Sequence, residues 1–418
     1  MAVIRVGIVG AGWIARSHRE VLDDAAGVEL AAVCDTDPGR AAALASGTGA
    51  RTYADWRDML DREELGALFV CTPPLVHREV SVAALGSGLP VYLEKPVART
   101  SSDAAEIVAA AAGTVCAVGY QWHALDLLGS LPGLLAGQQI GLLTGTSIGP
   151  TQSRPWFTDM RAGGGNLLER GSHHLDLIRA VAGEVVAVQA AASRIRLARS
   201  AGAGAGDIDD ALTILLSLAS GALATVVIAW TRAGQPGSYG LDIVASEATL
   251  RLALDPDFTV SGVSRGEPVS LRAAAHPFGR SVRCFLDAVR DRDPGAVACT
   301  PGDAAATLAV AVAAEEALRT ARAVPVEALL RVPCPGFVRS FGCHSGRSRL
   351  CKHPATPPVH RRGHDPALTL PRGNGRSPIP AGEWPRTLAV TRSPARASLR
   401  VLRARNASLT ALPWSAPP

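Results

Sequence analysis

A glycine pair at the end of a short apolar run constrains this chain most. Residues 3–9 (VIRVGIV) read as a buried strand and 14–25 as a helix, and Gly10-Ala11-Gly12-Trp13-Ile14-Ala15 between them fits G-x-G-x-x-A. Gly10 permits the tight turn, Gly12 lets the backbone approach a pyrophosphate, and the small Ala15 lets helix and strand pack closely. The pyrophosphate would sit at the positive end of the helix. Asp35 lies about 20 positions beyond, at the end of a second apolar strand (28–34), where a carboxylate accepts hydrogen bonds from ribose hydroxyls. A carboxylate repels a 2′-phosphate, so the expected cofactor is NAD; Arg40 close by leaves NADP open. The competing reading is a glycine-rich turn in some other α/β protein.

The rest of the N-terminal third keeps the same rhythm. Asp37-Pro38 opens a helix to about Ala45, with proline at a tolerated first-turn position. Strands are expected at 67–71, 91–93 and 115–119, and helices at 75–85 and 102–112. Apolar strands alternating with helices make βαβ units and a parallel sheet covered on both faces, a Rossmann domain over residues 1–120. From 121 to 330 the pattern changes. A helix at 167–182 follows Gly163-Gly164-Gly165, and strand-like runs at 185–192, 211–218, 222–230, 240–244 and 249–252 follow in series. Such a series predicts an α/β domain with a large, mostly antiparallel open sheet, closed by helices at 278–291 and 302–321.

Residues 331–418 differ again. They hold 15 of the 42 Lys and Arg but 2 of the 37 Asp and Glu, among many Pro, Gly and Ser. This basic segment reads as a low-order tail or as a translated frameshift. Its Cys334, Cys343, Cys351 and His353 lack the paired CxxC spacing of zinc sites, so no metal is expected. The first 330 residues are left net acidic, which argues against nucleic-acid binding. No apolar run of about 20 residues is present to span a membrane. The other five cysteines lie singly in apolar runs without a disulfide framework, which points to a reducing, cytoplasmic setting.

Arginine supplies nearly all of the positive charge; the two lysines are Lys95 and Lys352. A lysine pKa falls on burial, so this amine can exchange protons where a guanidinium cannot. Lys95 lies between Glu94 and Pro96, just past a predicted parallel strand, where open α/β sheets bind ligands. A surface Glu-Lys pair is the plainer alternative. Farther on, Glu169 and His173 are four residues apart on one predicted helix face, just after the glycine run.

Together these residues resemble the glucose–fructose oxidoreductase/inositol dehydrogenase (Gfo/Idh/MocA) family. The resemblance rests on Gly10–Ala15, Cys71-Thr72-Pro73-Pro74 with His77, Glu94-Lys95-Pro96, and Gly163–Gly165 followed by Glu169, His173 and Asp176, and it covers roughly residues 1–326. It implies a Rossmann domain followed by an α/β domain, and an NAD(P)-dependent oxidoreductase acting on a sugar, cyclitol or related polyol. Lys95 would be the general acid/base or polarising group at the substrate oxygen, with His173 beside it sharing the proton work. Glu169 stands where the inositol branch most often has Asp, which puts inositol itself in doubt. Thr72, Pro73, His77, Glu94 and Pro96 would line the cofactor pocket with Trp13 and Ile14. Trp122 and His123 stand where the family often places substrate contacts. Trp156, Asp159 and Arg161 are candidates for a polar sugar-binding wall, against a plainer reading as packing or loop surface. Asp176 would orient His173 or pair with Arg179 or Arg170, and His174 would face away. A homodimer or homotetramer through the open sheet face is implied too. The alternatives are a reductase of another carbonyl, imine or unsaturated ring, and a non-catalytic NAD-binding sensor.

Overall fold

The computed structural model describes residues 3–150, 160–161, 163–193, 209–231 and 234–326, so the basic tail and its four candidate metal ligands lie outside the described residues. Among those described, the N-terminal strands are β1 (Ile4–Val9), β2 (Val28–Cys34), β3 (Arg51–Tyr53), β4 (Ala67–Val70), β5 (Val91–Leu93) and β6 (Cys116–Val118). All pair in parallel, in the order β3-β2-β1-β4-β5-β6. Helices α1 (Trp13–Asp23), α2 (Pro38–Ala45), α3 (Trp56–Arg62), α4 (His77–Gly86) and α5 (Ser101–Ala110) connect them. This is the doubly wound order of a Rossmann domain. The chain leaves β1 towards β2 on one side and returns to β4 on the other, which opens a crevice beyond the carboxyl ends of β1 and β4. Val6, Ile8, Leu68 and Phe69 are fully buried, as expected of strands covered on both faces. Strand β3 and helix α3 are absent from the sequence expectation, being too short to show a period. Asp55 caps α3 by accepting from Arg57 N at 2.9 Å.

The second sheet holds β7 (Ile140–Pro150), β8 (Val185–Ser193), β9 (Ala211–Leu218), β10 (Leu223–Thr231), β11 (Ser238–Ala245), β12 (Ala248–Asp255), β13 (Phe258–Ser264), β14 (Glu267–Arg272) and β15 (Val324–Pro325). Their order is β14-β13-β12-β11-β7-β10-β9-β8-β15. Within this sheet only the β7–β10 pair is parallel among the described strands, so it is mixed and mostly antiparallel. Strand β10 shows the two faces. Ala224, Val226, Ile228 and Trp230 are buried, while Leu223 and alternate residues after it point outward.

The buried face is covered by α7 (Ser172–Ala182) and α9 (Pro301–Thr320). Between them in the chain lies α8 (Pro277–Asp291), after the short α6 (Leu131–Leu134) earlier on; α8 returns to the first sheet, where Phe285 meets Phe69 and Tyr92 edge-on. Bare backbone lets α7 settle close to the second sheet. A Cβ at Gly145 would fall 2.8 Å from the His174 ring, and one at Gly171 2.5 Å from Ile228. Among the described residues no helix is long and apolar enough to cross a membrane.

Candidate active site

The glycine turn lies at the crevice. Gly10 has φ +91°, and a Cβ there would fall 2.6 Å from the Cys71 carbonyl oxygen. Both facts demand glycine. Gly12 caps α1 in extended conformation with no side-chain cap, and a Cβ on it would meet nothing within 4 Å. No side chain caps the first turn of α1, and the space before it is open, as an incoming anion needs. Ala15 is fully buried, Ile14 half-buried and Trp13 at the rim. Thr72 and Pro73 follow β4 beside Gly10, and Thr72 Oγ1 is a buried atom without a hydrogen-bond partner. These features fit a dinucleotide.

Asp35 also braces the turn. Its Oδ2 accepts from Ala11 N at 2.7 Å, and its Oδ1 accepts from Asp37 N at 2.8 Å and Arg40 Nη2 at 2.7 Å. Burial raises its carboxyl pKa, but those donors bring it below the ordinary aspartate value. Arg40 is therefore held by a carboxylate, and Asp37 adds a second contact at 3.3 Å.

Lys95 follows β5 at the same edge. Its ammonium donates to the Glu169 main-chain oxygen at 2.8 Å and lies 2.8 Å from Glu169 Oε1. The Lys95 side chain keeps 11% of its surface exposed, so the amine is neither in open water nor sealed off. Glu169 belongs to a π-helical turn, Leu167–Gly171, that leads into α7. Such turns recur at functional sites. His173 follows in the first turn of α7, its ring 5.2 Å from Trp122 and 5.8 Å edge-on from Tyr120. Burial, and then the charge of Lys95, hold the His173 pKa well below the usual histidine value, so the imidazole is neutral. Its Nδ1 is buried and has no hydrogen-bond partner.

Several residues expected at the pocket face elsewhere. Glu94 is turned inward: Oε1 lies 2.8 Å from His18 Nε2 and Oε2 accepts from Lys95 N at 3.2 Å. His77 does not line the pocket. It is fully buried, with ring nitrogens 2.8 and 2.9 Å from the Pro96 and Thr72 carbonyl oxygens, so it clasps the two loops from behind. Pro96 is buried with it. His123 is committed to protein at both nitrogens, to Asp176 Oδ2 at 2.8 Å and to Ala298 O at 3.2 Å, which removes it as a substrate contact. Burial alone would lower the His123 pKa; the Asp176 carboxylate raises it instead. Cys299 Sγ lies within 4.8 Å of both groups. Asp176 accordingly does not orient His173 or pair with Arg179 or Arg170. It also accepts from Thr307 Oγ1 at 2.9 Å, while Arg179 engages Glu184. His174 does face away, towards Gly240 O at 3.1 Å. Trp122 remains at the site as a buried ring against both histidines. Arg161 is exposed, and Trp156 and Asp159 lie outside the described residues.

Sequence reasoning missed His18, Tyr120 and Arg170. His18 shares the buried face of α1 with Ala15 and Leu22, a helical spacing that marks it as inward-facing. The half-buried Arg170 guanidinium donates to Tyr239 Oη at 2.9 Å and to Pro150 O at 2.8 Å. No sequence signal distinguishes Arg170 from a solvated arginine.

Comparison with known proteins agrees with this architecture. Residues 4–121 match the family described as "Oxidoreductase family, NAD-binding Rossmann fold", and residues 143–251 match the "GFO/IDH/MocA C-terminal domain". Inositol 2-dehydrogenase of Leifsonia xyli is 38% identical over 106 residues, which is 25% of this chain and 31% of that protein. That match spans about a third of the relative's length. The rhizopine catabolism protein MocA of Rhizobium meliloti is 30% identical over 325 residues, covering 76% of this chain and 96% of that protein. A solved levoglucosan dehydrogenase, in complex with NADH and levoglucosan, shares the fold with a TM-score of 0.69 at 20% identity, over 77% of this chain and 99% of that one. With the glycine turn, the Lys95 loop and the Glu169–His173 helix in one crevice, the chain belongs to the Gfo/Idh/MocA family of NAD-binding oxidoreductases.

Proposed function

We propose that this protein is a dehydrogenase moving a hydride between NAD and a hydroxyl- or carbonyl-bearing carbon of a sugar, cyclitol or related polyol. The observation that carries this reading is the Lys95–Glu169 pair beside a neutral His173, at the strand edge that holds the glycine turn. NAD, when bound, supplies the hydride acceptor for oxidation and its reduced form the donor for reduction. In oxidation, the neutral His173 imidazole takes the proton of the substrate hydroxyl. The Lys95 ammonium donates a hydrogen bond to the same oxygen and stabilises its developing negative charge. Glu169 keeps that ammonium aimed. Sequence reasoning offers Lys95 as general acid/base or as polarising group; the neutral imidazole beside the Lys95–Glu169 pair favours the second. Trp122 and Tyr120 wall off water around the imidazole.

A proton-transfer set of this kind is not needed by a sensor that only binds NAD. The deciding experiment is a screen of polyols and sugars for NADH absorbance change at 340 nm, alongside NADH binding by fluorescence. Turnover on a polyol supports the reading. NADH binding with no turnover on any candidate, in either direction, returns the sensor reading.

The outer face of the second sheet supports assembly of two or more copies. Leu142, Leu223 and Val244 are each more than 40% exposed and stand side by side across three strands, since Leu142 is in register with both of the others. An apolar row of this kind on an open sheet face is a surface for a second sheet.

A further inference from the structure

One buried pair links the helix that receives the cofactor to the loop that carries Lys95. His18 lies on α1 with no exposed surface, ringed by Phe278, Tyr92 and Phe69 at centroid distances of 4.7, 5.0 and 5.2 Å. Its Nε2 is 2.8 Å from Glu94 Oε1, and its Nδ1 is buried without a partner. Among the described residues that ring therefore has one polar contact, Glu94. The opposite carboxylate oxygen accepts the amide of Lys95 itself. The main chain of Glu94 is anchored to the next strand, Glu94 N donating to Val70 O at 3.0 Å. On its remaining side the carboxylate lies against bare backbone, for a Cβ on Gly119 would come within 3.1 Å of it. The carboxylate thus has one place to sit, and His18 and the Lys95 amide share it.

From this geometry we infer that His18 is a positioning residue for the reaction: through Glu94 it fixes the backbone from which Lys95 reaches the substrate oxygen. The inference rests on the role proposed above for Lys95 in holding the substrate oxygen. An imidazole placed in an aromatic cage solely for packing would need no acceptor, and a Glu94 placed solely for the cofactor would not turn inward. The pair also spans from the helix bearing Gly12 to the loop bearing Lys95, so displacement of either element is felt by the other. Misplacing a reacting group by about 1 Å costs on the order of 100-fold in rate.

The test compares His18→Leu with His18→Gln, whose side-chain amide nitrogen can occupy the position of Nε2. Three measurements are made: NADH affinity by fluorescence, kcat and KM on a polyol that turns over, and the rate at which trinitrobenzenesulfonate labels Lys95. Peptide mapping separates Lys95 from Lys352, the other lysine, so labelling reports on the amine without any substrate. His18→Leu is expected to lower kcat by about 10- to 100-fold and to speed Lys95 labelling severalfold, with NADH affinity little changed. His18→Gln is expected to recover most of both. Parental labelling and kcat in a folded His18→Leu protein would overturn the inference, as would a His18→Gln protein no better than His18→Leu. Should His18→Leu not fold, His18→Gln against His18→Asn makes the same comparison, since asparagine places its amide short of Glu94. A Lys95→Ala protein with normal turnover would instead bring down the role proposed for Lys95 at the substrate oxygen, while the labelling comparison in the parent background still stands or falls separately.

Discussion

Lys95 and Glu169 meet twice, the ammonium lying 2.8 Å from both the carboxylate Oε1 and the main-chain oxygen of the same residue. A contact made partly to backbone cannot be satisfied by a rotamer change alone, so the amine is tied to the shape of the π-helical turn. Lys95→Ala is expected to lower kcat by about 10²- to 10⁴-fold while NADH affinity stays within a few-fold. Glu169→Gln, which keeps the main-chain contact but removes the charge, is expected to lose less. Steady-state kinetics with NADH titrations check both, and near-normal turnover by Lys95→Ala would remove the lysine from the chemistry.

The histidines set opposing pH dependences. Burial lowers His174 from 6.5 to about 4 and His173 well below its ordinary value. Both are neutral in the fold but charged in the unfolded chain below about pH 6.5, so the unfolded chain binds more protons there. The stability they contribute is present above pH 6.5 and is lost as pH falls towards the folded values, by up to about 3 kcal/mol for His174. His123, raised by Asp176, works in the other direction: its contribution is full below the unfolded value and fades as pH rises through the folded one. Thermal melts at pH 5 and pH 7.5 should show a lower Tm at pH 5, and His174→Gln should reduce that difference. An unchanged difference would mean that the acid loss originates elsewhere.

The same neutral imidazole predicts an activity profile. With His173 as acceptor, kcat should hold as pH falls through 6.5 and decline only at more acid values. A decline centred on the ordinary histidine value would count against that assignment.

Asp35 and Arg40 decide between the two nicotinamide cofactors. Asp35→Ser frees the Arg40 guanidinium from its 2.7 Å contact and removes the charge that repels a 2′-phosphate. The variant should bind NAD more weakly and gain affinity for NADP, read by fluorescence titration with each reduced cofactor. Unchanged preference would place the discrimination elsewhere.

At the outer sheet face, Leu142→Glu puts a charge in the middle of the Leu223–Leu142–Val244 row. Light scattering after size exclusion should show the parent as a dimer or larger and the variant shifted towards monomer. A monomeric parent would retire that surface as an interface.

The parallel sheet was legible because its strands are continuous apolar runs, and the glycine turn because its spacing follows from backbone physics. Strand β7 was not. Ile140–Pro150 mixes Gly and Thr on alternating positions, which blurs the period although the strand lies mid-sheet between β10 and β11. Strands β13 and β14, at one end of the sheet, escaped for a related reason: each carries at least as many polar residues as apolar ones. Within the site, Lys95, Glu169 and His173 were found as a set, whereas Glu94, His77 and His123 were placed in the pocket and point away from it. Sequence spacing reports which residues share an element. The direction a loop side chain takes is settled by partners such as His18 and Asp176, which lie 76 and 53 positions away.

The furrow under α7 has a consequence for how this active centre can change. Its depth comes from Gly145 and Gly171, whose bare backbone determines how far the helix stands off the strands. A methyl group at either position would work like a shim, tilting His173 and the neighbouring turn together while every reactive side chain stayed in place. Variation in what the crevice accepts can therefore arise beneath the helix, from residues that no ligand touches.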